Sequence, residues 1–228
     1  MKISYSGALY EENYHFSDSG YFNKQFIERV QRSAKEFALA VYKIIRSNEY
    51  ENRKFYKIPL TDPILPYVFF IGNYSEHIAM GEIKEGYYIT LNDSIIQAKD
   101  IDDESWVLLL HEFIHIYREV FAKNKKTDID KSSDIKEIFK DPNKPNYFQY
   151  YNSPEEISAY IGSIISYITS SKNRLEYFKG LSFEDFYKAC MNLTGNEKQF
   201  DEYLDKDNKN KVYEVIRLLY AKVQQGYF

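Results

Sequence analysis

The fold of this 228-residue chain is decided by the stretch Trp106-Val107-Leu108-Leu109-Leu110-His111-Glu112-Phe113-Ile114-His115-Ile116-Tyr117. Its residues are apolar almost all the way round, which predicts a buried helix. Residues four apart lie on one face of a helix, so His111 and His115 direct two imidazoles toward one point. Burying these histidines together with Glu112 is costly unless the three side chains are paired or bind a metal ion.

The spacing His-Glu-x-x-His predicts a metal centre in which His111 and His115 are ligands and Glu112 is not. Glu112 lies roughly 60° around the helix from His115, from where it can reach a metal-bound water and act as general base. Two nitrogen ligands, one base and an open coordination position are what a zinc hydrolase requires. The alternative is a core helix with two hydrogen-bonded histidines. The buried context of the motif favours the metal centre.

A third protein ligand must come from outside this helix. His15 and His77 both precede the motif, and Cys190, the single cysteine, lies far downstream. We therefore expect an acidic ligand from a following helix. The segment Ser153-Pro154-Glu155-Glu156-Ile157-Ser158-Ala159-Tyr160 supplies one.

Within that segment, Ser153 is a good N-cap and Pro154 a good first helical residue, which places Glu156 at the third helical position. Ala159 lies on the same face and would let the two helices approach closely. The competing interpretation of Glu156 is a capping box, in which its carboxylate binds the Ser153 backbone N–H. Glu155 is the competing candidate for the ligand. Because the histidine motif has no other ligand after it, we predict that Glu156 binds the metal.

Together these residues resemble the gluzincin branch of zinc metallopeptidases, in which the histidine motif is followed by a glutamate on a later helix. Glu156-Ile157-Ser158-Ala159 is similar to the Glu-x-x-Ala pattern of many members. With Glu155 as ligand the segment would resemble the thermolysin pattern, except that Ala159 replaces that family's aspartate. The long separation between His115 and Glu156 resembles the anthrax lethal-factor type and small zincin-like proteins of bacteria and phages. The resemblance covers roughly residues 65–170.

The resemblance implies an α+β fold with a zincin-like metallopeptidase core. Such a core has a small, mostly antiparallel sheet, the helix of the histidine motif and a glutamate-bearing helix. Some proteins of this type carry a tyrosine a few residues before the ligand glutamate, a place that Tyr150 or Tyr151 could hold. The implied site consists of Zn²⁺ held by His111, His115 and Glu156, of Glu112 as general base, and of an oxyanion donor that is Tyr150, Tyr151 or an unidentified group.

Segments before the motif predict the strands of this sheet. Tyr67-Val68-Phe69-Phe70-Ile71 and Tyr87-Tyr88-Ile89-Thr90-Leu91 are rich in aromatic and β-branched residues, which is typical of strands. His77-Ile78-Ala79-Met80 is predicted as another strand between them. The edge strand of such a sheet can hold an extended substrate by backbone pairing. An ordinary core meander would produce the same sequence pattern.

The flanking segments predict helices. Apolar residues from Phe22 to Ile45 recur at helical spacing, and Ser182–Leu193 and Lys211–Gln225 show weaker helical patterns. A polar stretch lies between Lys123 and Asn152, with a short helix predicted near Asp134–Phe139. We expect it to form either a wall of the cleft or a solvent-exposed loop. The chain is therefore predicted to be one domain, 1–228, with its core at about 55–170 and extra helical flanks at 20–48 and 175–226.

Composition limits the partners of the protein. The formal net charge of −4 gives no electrostatic case for nucleic-acid binding. No apolar run is long enough to cross a bilayer, and Met1-Lys2-Ile3-Ser4-Tyr5 lacks the apolar region of a signal peptide. We therefore expect a cytoplasmic protein that acts on a peptide or protein substrate, without nucleic-acid or membrane partners.

The tyrosine content motivates a second class of function. The chain contains 23 tyrosines, a residue that is rigid, amphipathic and enriched at interfaces. The alternative to an enzyme is thus a structural or assembly protein, for example a virion-associated phage component, that uses a zincin-like fold as scaffold and assembles through tyrosine-rich surfaces. A zinc hydrolase with a non-peptide substrate is a third option. The intact Glu112 favours an enzyme, because a scaffold needs no general base.

Overall fold

The computed structural model describes residues 22–47, 50–72, 78–91, 102–124, 147–193 and 203–228. Over these ranges the fold is α+β, as predicted, with seven helices and one four-stranded sheet. The predicted helix at 134–139 and the start of the strand predicted from His77 lie outside the described residues. In chain order the elements are α1 (Lys24–Ile45), β1 (Phe55–Pro59), β2 (Tyr67–Gly72), β3 (Ala79–Ile83), β4 (Gly86–Leu91), α2 (Asp103–Asn124), α3 (Tyr147–Tyr151), α4 (Pro154–Thr169), α5 (Lys172–Lys179), α6 (Phe183–Asn192) and α7 (Lys206–Gln224).

The sheet is mixed and has the strand order β1-β2-β4-β3. The β1–β2 and β3–β4 pairs are antiparallel, whereas β2 and β4 are parallel. The strands β2 and β4 coincide with two predicted strands, and β3 overlaps the third at Ala79 and Met80. The strand β1 was not predicted, because Ile58 is its only fully buried residue and its sequence carries little apolar alternation. The position of β3 at the end of the order makes it an edge strand within the described sheet.

One face of the sheet packs against α1 and α2 through aromatic side chains. The ring of Phe37 on α1 lies with its centroid 6.4 Å from that of Phe70 on β2 and 5.6 Å from that of Phe113 on α2, both edge to face. All three residues are fully buried. Such pairs add a favourable quadrupole interaction to the burial of their area. Phe37 therefore joins the first helix, the sheet and the helix of the histidine motif in a single core.

A buried polar network lies next to these aromatic residues, between α2 and α1. The Tyr117 hydroxyl donates to Asp62 Oδ2 at 3.0 Å and lies 2.6 Å from Ser33 Oγ on α1. Arg29 Nε approaches Asp62 Oδ2 to 3.2 Å, so the buried carboxylate is paired with a cation. A buried polar group that is fully hydrogen-bonded adds directional constraint to a core at little desolvation penalty. The network holds α2 against α1 on the side away from the two histidines.

The helices α2 and α4 pack closely where small residues of α4 face α2. A Cβ atom added at Gly162 would lie 2.8 Å from Ile114 Cδ1, and Ala159 is fully buried, as predicted for a close approach. The start of α4 is fixed by the predicted cap, because Ser153 Oγ accepts a hydrogen bond from Glu156 N at 3.3 Å. Arg118 Nη1 on α2 donates to the Glu155 carbonyl at 3.0 Å. The first turn of α4 is thus held against the middle of α2.

The C-terminal helices extend the core. The helix α6 matches the pattern predicted for 182–193, and α7 begins five residues earlier than predicted, at Lys206. Its N-cap is Asp205, whose Oδ1 accepts from Asn208 N at 2.7 Å. None of the helices in the described ranges combines the length and the apolar composition that a membrane span requires.

Candidate metal centre

Three predicted ligands converge between α2 and α4. His111 Nε2 and His115 Nε2 lie 2.9 Å apart on one face of α2. Glu156, from the first turn of α4, places Oε2 at 3.2 Å from His111 Nε2 and Oε1 at 3.2 Å from His115 Nε2. His111 and Glu156 are each only 3% exposed. The two helices therefore bring two imidazole nitrogens and one carboxylate to a common, nearly water-free point.

The geometry of this cluster fits a small divalent cation. The three ligand atoms lie within 4.8 Å of one another. Bonds of 2.0–2.2 Å at tetrahedral angles would separate such atoms by about 3.3–3.6 Å, which is a small expansion of the observed distances. Among the described residues, no group makes a well-directed hydrogen bond to the buried Glu156 Oε2. A buried carboxylate oxygen without a donor is costly, and a metal ion would satisfy it.

The electrostatics of the cluster describe a buried ion pair. Burial acts to lower the pKa of the His115 imidazole, but the carboxylates of Glu156 and Glu112 outweigh it and hold that pKa above its usual value. Burial likewise acts to raise the pKa of the Glu156 carboxyl, but His115 and His111 outweigh it and hold that pKa far below its usual range. The lowered pKa keeps Glu156 charged, as a metal ligand must be. A metal ion would have to displace the proton that the raised pKa holds on His115, because a histidine ligand is neutral.

Glu112 lies beside the cluster and is not part of it. Its Oε2 accepts a hydrogen bond from the backbone N–H of Met80 on β3 at 3.0 Å. Burial raises the pKa of the Glu112 carboxyl, an effect that the nearby His111 and His115 oppose. A carboxylate whose pKa is raised holds a proton more firmly than an ordinary carboxylate, which suits it to act as a base. Glu112 therefore lies next to the group formed by His111, His115 and Glu156, but outside it.

The alternatives for the third ligand can be compared directly. The Ser153 hydroxyl caps α4, but the Ser153 backbone N–H donates to the Tyr150 carbonyl at 3.0 Å and not to Glu156. The capping box is therefore only half formed, and the Glu156 carboxylate is directed at the histidines. Glu155 is outside the cluster of candidate ligands. The Glu155 carbonyl instead accepts a hydrogen bond from the Arg118 guanidinium.

The two predicted tyrosines occupy different positions. Tyr150 is close to the Glu156 carboxylate, and burial together with that carboxylate raises the pKa of the Tyr150 hydroxyl far above its usual value. The Tyr151 ring lies with its centroid 6.2 Å from that of Tyr160, and burial, with Tyr151 adding to its effect, raises the pKa of Tyr160. The Tyr160 ring packs on the His111 imidazole with centroids 4.5 Å apart. Tyr150 is thus the tyrosine that faces the cluster, and Tyr151 supports its wall.

Two contributors were not among the predicted site residues. Tyr160 lies four residues after Glu156 on α4, so the two residues share a helix face. This spacing could have assigned Tyr160 to the site from the sequence. The Met80 backbone N–H has no such signal, because its contact with Glu112 depends on how β3 lies relative to α2. Local spacing thus identifies side chains of the site, whereas a backbone donor from a distant strand requires the fold.

Comparison with known proteins gives no relative of this chain: no protein-family model, no curated protein and no solved structure matches it. The cluster of His111, His115 and Glu156, with Glu112 beside it, is therefore the feature from which a function can be inferred.

Proposed function

We propose that the protein is a zinc-dependent metallopeptidase with a zincin-like core. His111, His115 and Glu156 would hold Zn²⁺, and Glu112 would act as general base. The observation that carries the proposal is the convergence of two imidazoles and one buried carboxylate from two helices, with a second carboxylate next to them but outside the ligand set. This arrangement matches the division of labour that the sequence motif predicts.

The residues of the site have distinct roles in peptide hydrolysis. Zn²⁺ held by His111, His115 and Glu156 would supply Lewis acidity, which would make the attacking water more acidic and polarise the scissile carbonyl. Glu112 accepts the proton of the attacking water and delivers it to the leaving amine. Its raised pKa supports proton uptake, because the Glu112 carboxylate is then a stronger base than an ordinary carboxylate.

Tyr150 is the better oxyanion donor of the two predicted tyrosines. Its hydroxyl lies at the Glu156 carboxylate, and its raised pKa keeps it protonated and able to donate. A donor placed where negative charge develops stabilises the transition state more than the ground state. Tyr151 contributes indirectly through its ring contact with Tyr160, whose ring lies against His111.

The edge strand β3 supports a peptide as substrate. The Met80 N–H is directed at Glu112 on α2, so it faces away from β4. Because backbone groups alternate along a strand, every second residue of β3 directs its N–H and C=O to the open edge of the described sheet. An extended peptide can add to such an edge by backbone hydrogen bonds. The described edge of the sheet and the proposed metal centre meet at Met80 and Glu112. Because Glu112 already accepts from the Met80 N–H, the outward backbone groups of neighbouring β3 residues would bind the peptide.

The proposal is tested by incubating the zinc-loaded protein with a peptide library and detecting new termini by mass spectrometry. We expect cleavage by the zinc-loaded protein, loss of cleavage after removal of the metal with a chelator, and recovery on adding Zn²⁺. Cleavage that persists at full rate after metal removal would show that this site is not responsible. If the protein binds Zn²⁺ but cleaves no peptide, the proposed metal centre would stand and the proposed peptidase activity would be refuted.

The tyrosines of the described residues support the enzyme over the assembly hypothesis. Five of them are buried in the core or at the site, namely Tyr87, Tyr117, Tyr151, Tyr160 and Tyr167. The strongly exposed ones are Tyr177, Tyr213 and Tyr227, of which Tyr213 lies against the rings of Phe183 and Tyr187. An assembly surface would be expected to gather such side chains in one contiguous patch. Native mass spectrometry checks this point, since a ring or filament would favour the scaffold.

A further inference from the structure

The residue that joins α3 to α4 is the centre of a hydrogen-bonded cluster. Asn152 Nδ2 donates to the Tyr203 carbonyl at 2.6 Å, and Asn152 Oδ1 accepts from Asp205 N at 2.8 Å and from Asn208 Nδ2 at 3.0 Å. We call these four residues the Asn152 clamp. The clamp connects the segment just before the metal-site glutamate to a segment more than 50 residues later in the chain.

The distal half of the clamp is itself rigid. Asn208 is buried, and its Nδ2 also reaches Asp205 Oδ2 at 3.1 Å. Asp205 caps α7 by accepting from Asn208 N at 2.7 Å. A capped helix start, with its polar atoms paired, has few alternative conformations. Asn152 is therefore attached to a fixed point of the C-terminal helix.

The clamp lies next to the tyrosines of the metal centre. The Tyr203 ring stacks on Tyr151 with centroids 5.5 Å apart and an interplanar angle of 9°. The Tyr151 ring in turn lies with its centroid 5.2 Å from that of Tyr150. Both tyrosines belong to α3, which has only five residues. A helix this short has little stability of its own, so its position must be set by contacts with other parts of the chain.

The metal ligands do not depend on the clamp in the same way. Glu156 is placed by the Ser153 cap and by the contact of Arg118 with the Glu155 carbonyl. His111 and His115 belong to α2, which the core holds on both faces. Loss of the clamp would therefore release the tyrosines while leaving the three ligands together.

We propose that Asn152 is a positioning residue of the site. Through Tyr203 and Asn208 it holds Tyr150 and Tyr151 against the metal centre, so that the C-terminal segment completes a site whose ligands all lie before residue 157. The inference rests on the proposed metal centre and deepens it. According to this inference, the position of the proposed oxyanion donor, Tyr150, depends on contacts outside α2 and α4, the two helices that carry the proposed ligands.

The test uses Co²⁺ in the full chain, because its visible absorption bands report the ligand field without any substrate. We compare the wild type with Asn152→Ala, Tyr150→Phe and the double variant. Both single variants should bind Co²⁺ and shift its bands in the same direction. The double variant should shift them no further than Tyr150→Phe, because groups that act through one another are non-additive. With a cleaved peptide, Asn152→Ala should lower kcat by about 10- to 100-fold, as expected for loss of an outer support.

Two further variants make the result specific. Gln31→Ala removes a comparable half-buried amide, whose Nε2 donates to the Ser166 carbonyl at 2.7 Å and to Thr169 Oγ1 at 2.9 Å far from the clamp. This control should leave the Co²⁺ bands unchanged. Tyr203→Leu removes the ring that stacks on Tyr151 but keeps the carbonyl that Asn152 binds. It should shift the bands even if Asn152→Ala does not fold.

The outcomes separate this inference from the proposed function. Wild-type protein that takes up no Co²⁺ refutes the metal centre, and the inference falls with it. Uptake of Co²⁺ with unchanged bands in both Asn152→Ala and Tyr203→Leu refutes the positioning role alone. Effects of Asn152→Ala and Tyr150→Phe that simply add in the double variant also refute it, since the two residues would then act independently.

Discussion

Glu112 Oε2 on α2 accepts a hydrogen bond from the Met80 backbone N–H on β3 at 3.0 Å. The contact ties the proposed general base to the edge strand of the sheet. A peptide that pairs with this edge would therefore lie beside the carboxylate that acts on it. Glu112 is thus oriented by β3 as well as by α2. Its neighbours in the motif, His111 and His115, instead face Glu156.

The first prediction concerns Glu112→Gln. The amide oxygen can still accept from the Met80 N–H, so the side chain should keep its place while losing its basicity. We expect zinc content equal to that of the wild type, since Glu112 is not a ligand, and a rate of peptide cleavage reduced by roughly 10²-fold or more. Metal analysis and cleavage assays on the same preparation measure both. Wild-type cleavage by the zinc-loaded variant would exclude Glu112 as the base.

The second prediction concerns the buried hydroxyl of Tyr117. Tyr117→Phe keeps the ring but removes the group that lies 2.6 Å from Ser33 Oγ and donates to Asp62 at 3.0 Å. We expect the free energy of unfolding to fall by about 1–3 kcal/mol, because buried partners lose a hydrogen bond. Tyr177→Phe is the matched control, as that side chain is 61% exposed. Equal effects of the two substitutions in urea denaturation would contradict a structural role for the network.

The third prediction concerns Cys190, which is fully buried on α6 and whose thiol pKa is raised by burial above the usual value of 9.0. As pH rises above 9.0, the thiol of the unfolded chain therefore loses its proton while the thiol of the folded chain keeps it. This contribution to stability is complete below pH 9.0 and is lost as pH rises toward the folded pKa. We expect the free energy of unfolding to fall above about pH 9, and less steeply in Cys190→Ala.

Thiol labelling gives an independent check of the same prediction. A thiol reagent at pH 8 should modify Cys190 only after urea unfolds the chain, since the thiolate is the reactive form and burial suppresses it. Rapid labelling of the native protein would show that the C-terminal helices open readily, contrary to the packing around α6.

The sequence predicts those parts of the site that depend on local spacing. His111 and His115 are four residues apart on one helix, and Glu156 follows a Ser-Pro helix start, so each side chain could be assigned from its own segment. The choice between ligand and capping box could not be made locally. Glu156 can reach either the Ser153 N–H or the histidines, and the packing of α4 on α2 decides between them.

Other features depend on contacts between distant segments and could not be predicted. The strand β1 has a single fully buried residue, Ile58, and is formed by its pairing with β2. The Asn152 clamp joins residues more than 50 positions apart. A lone asparagine before a helix predicts a turn or cap, and nothing in its sequence context indicates Asn208 as a partner.

The most direct test of the central claim is the affinity for Zn²⁺, measured by competition with a chelator in wild type, Glu156→Gln and Glu155→Gln. The two variants make the same chemical change at neighbouring residues, and only Glu156 lies at the histidines. We predict one Zn²⁺ per chain in the wild type, near wild-type affinity in Glu155→Gln, and an affinity lower by about 100-fold or more in Glu156→Gln. Wild-type protein that binds no Zn²⁺, or a loss of affinity in Glu155→Gln but not in Glu156→Gln, would contradict the assigned metal centre.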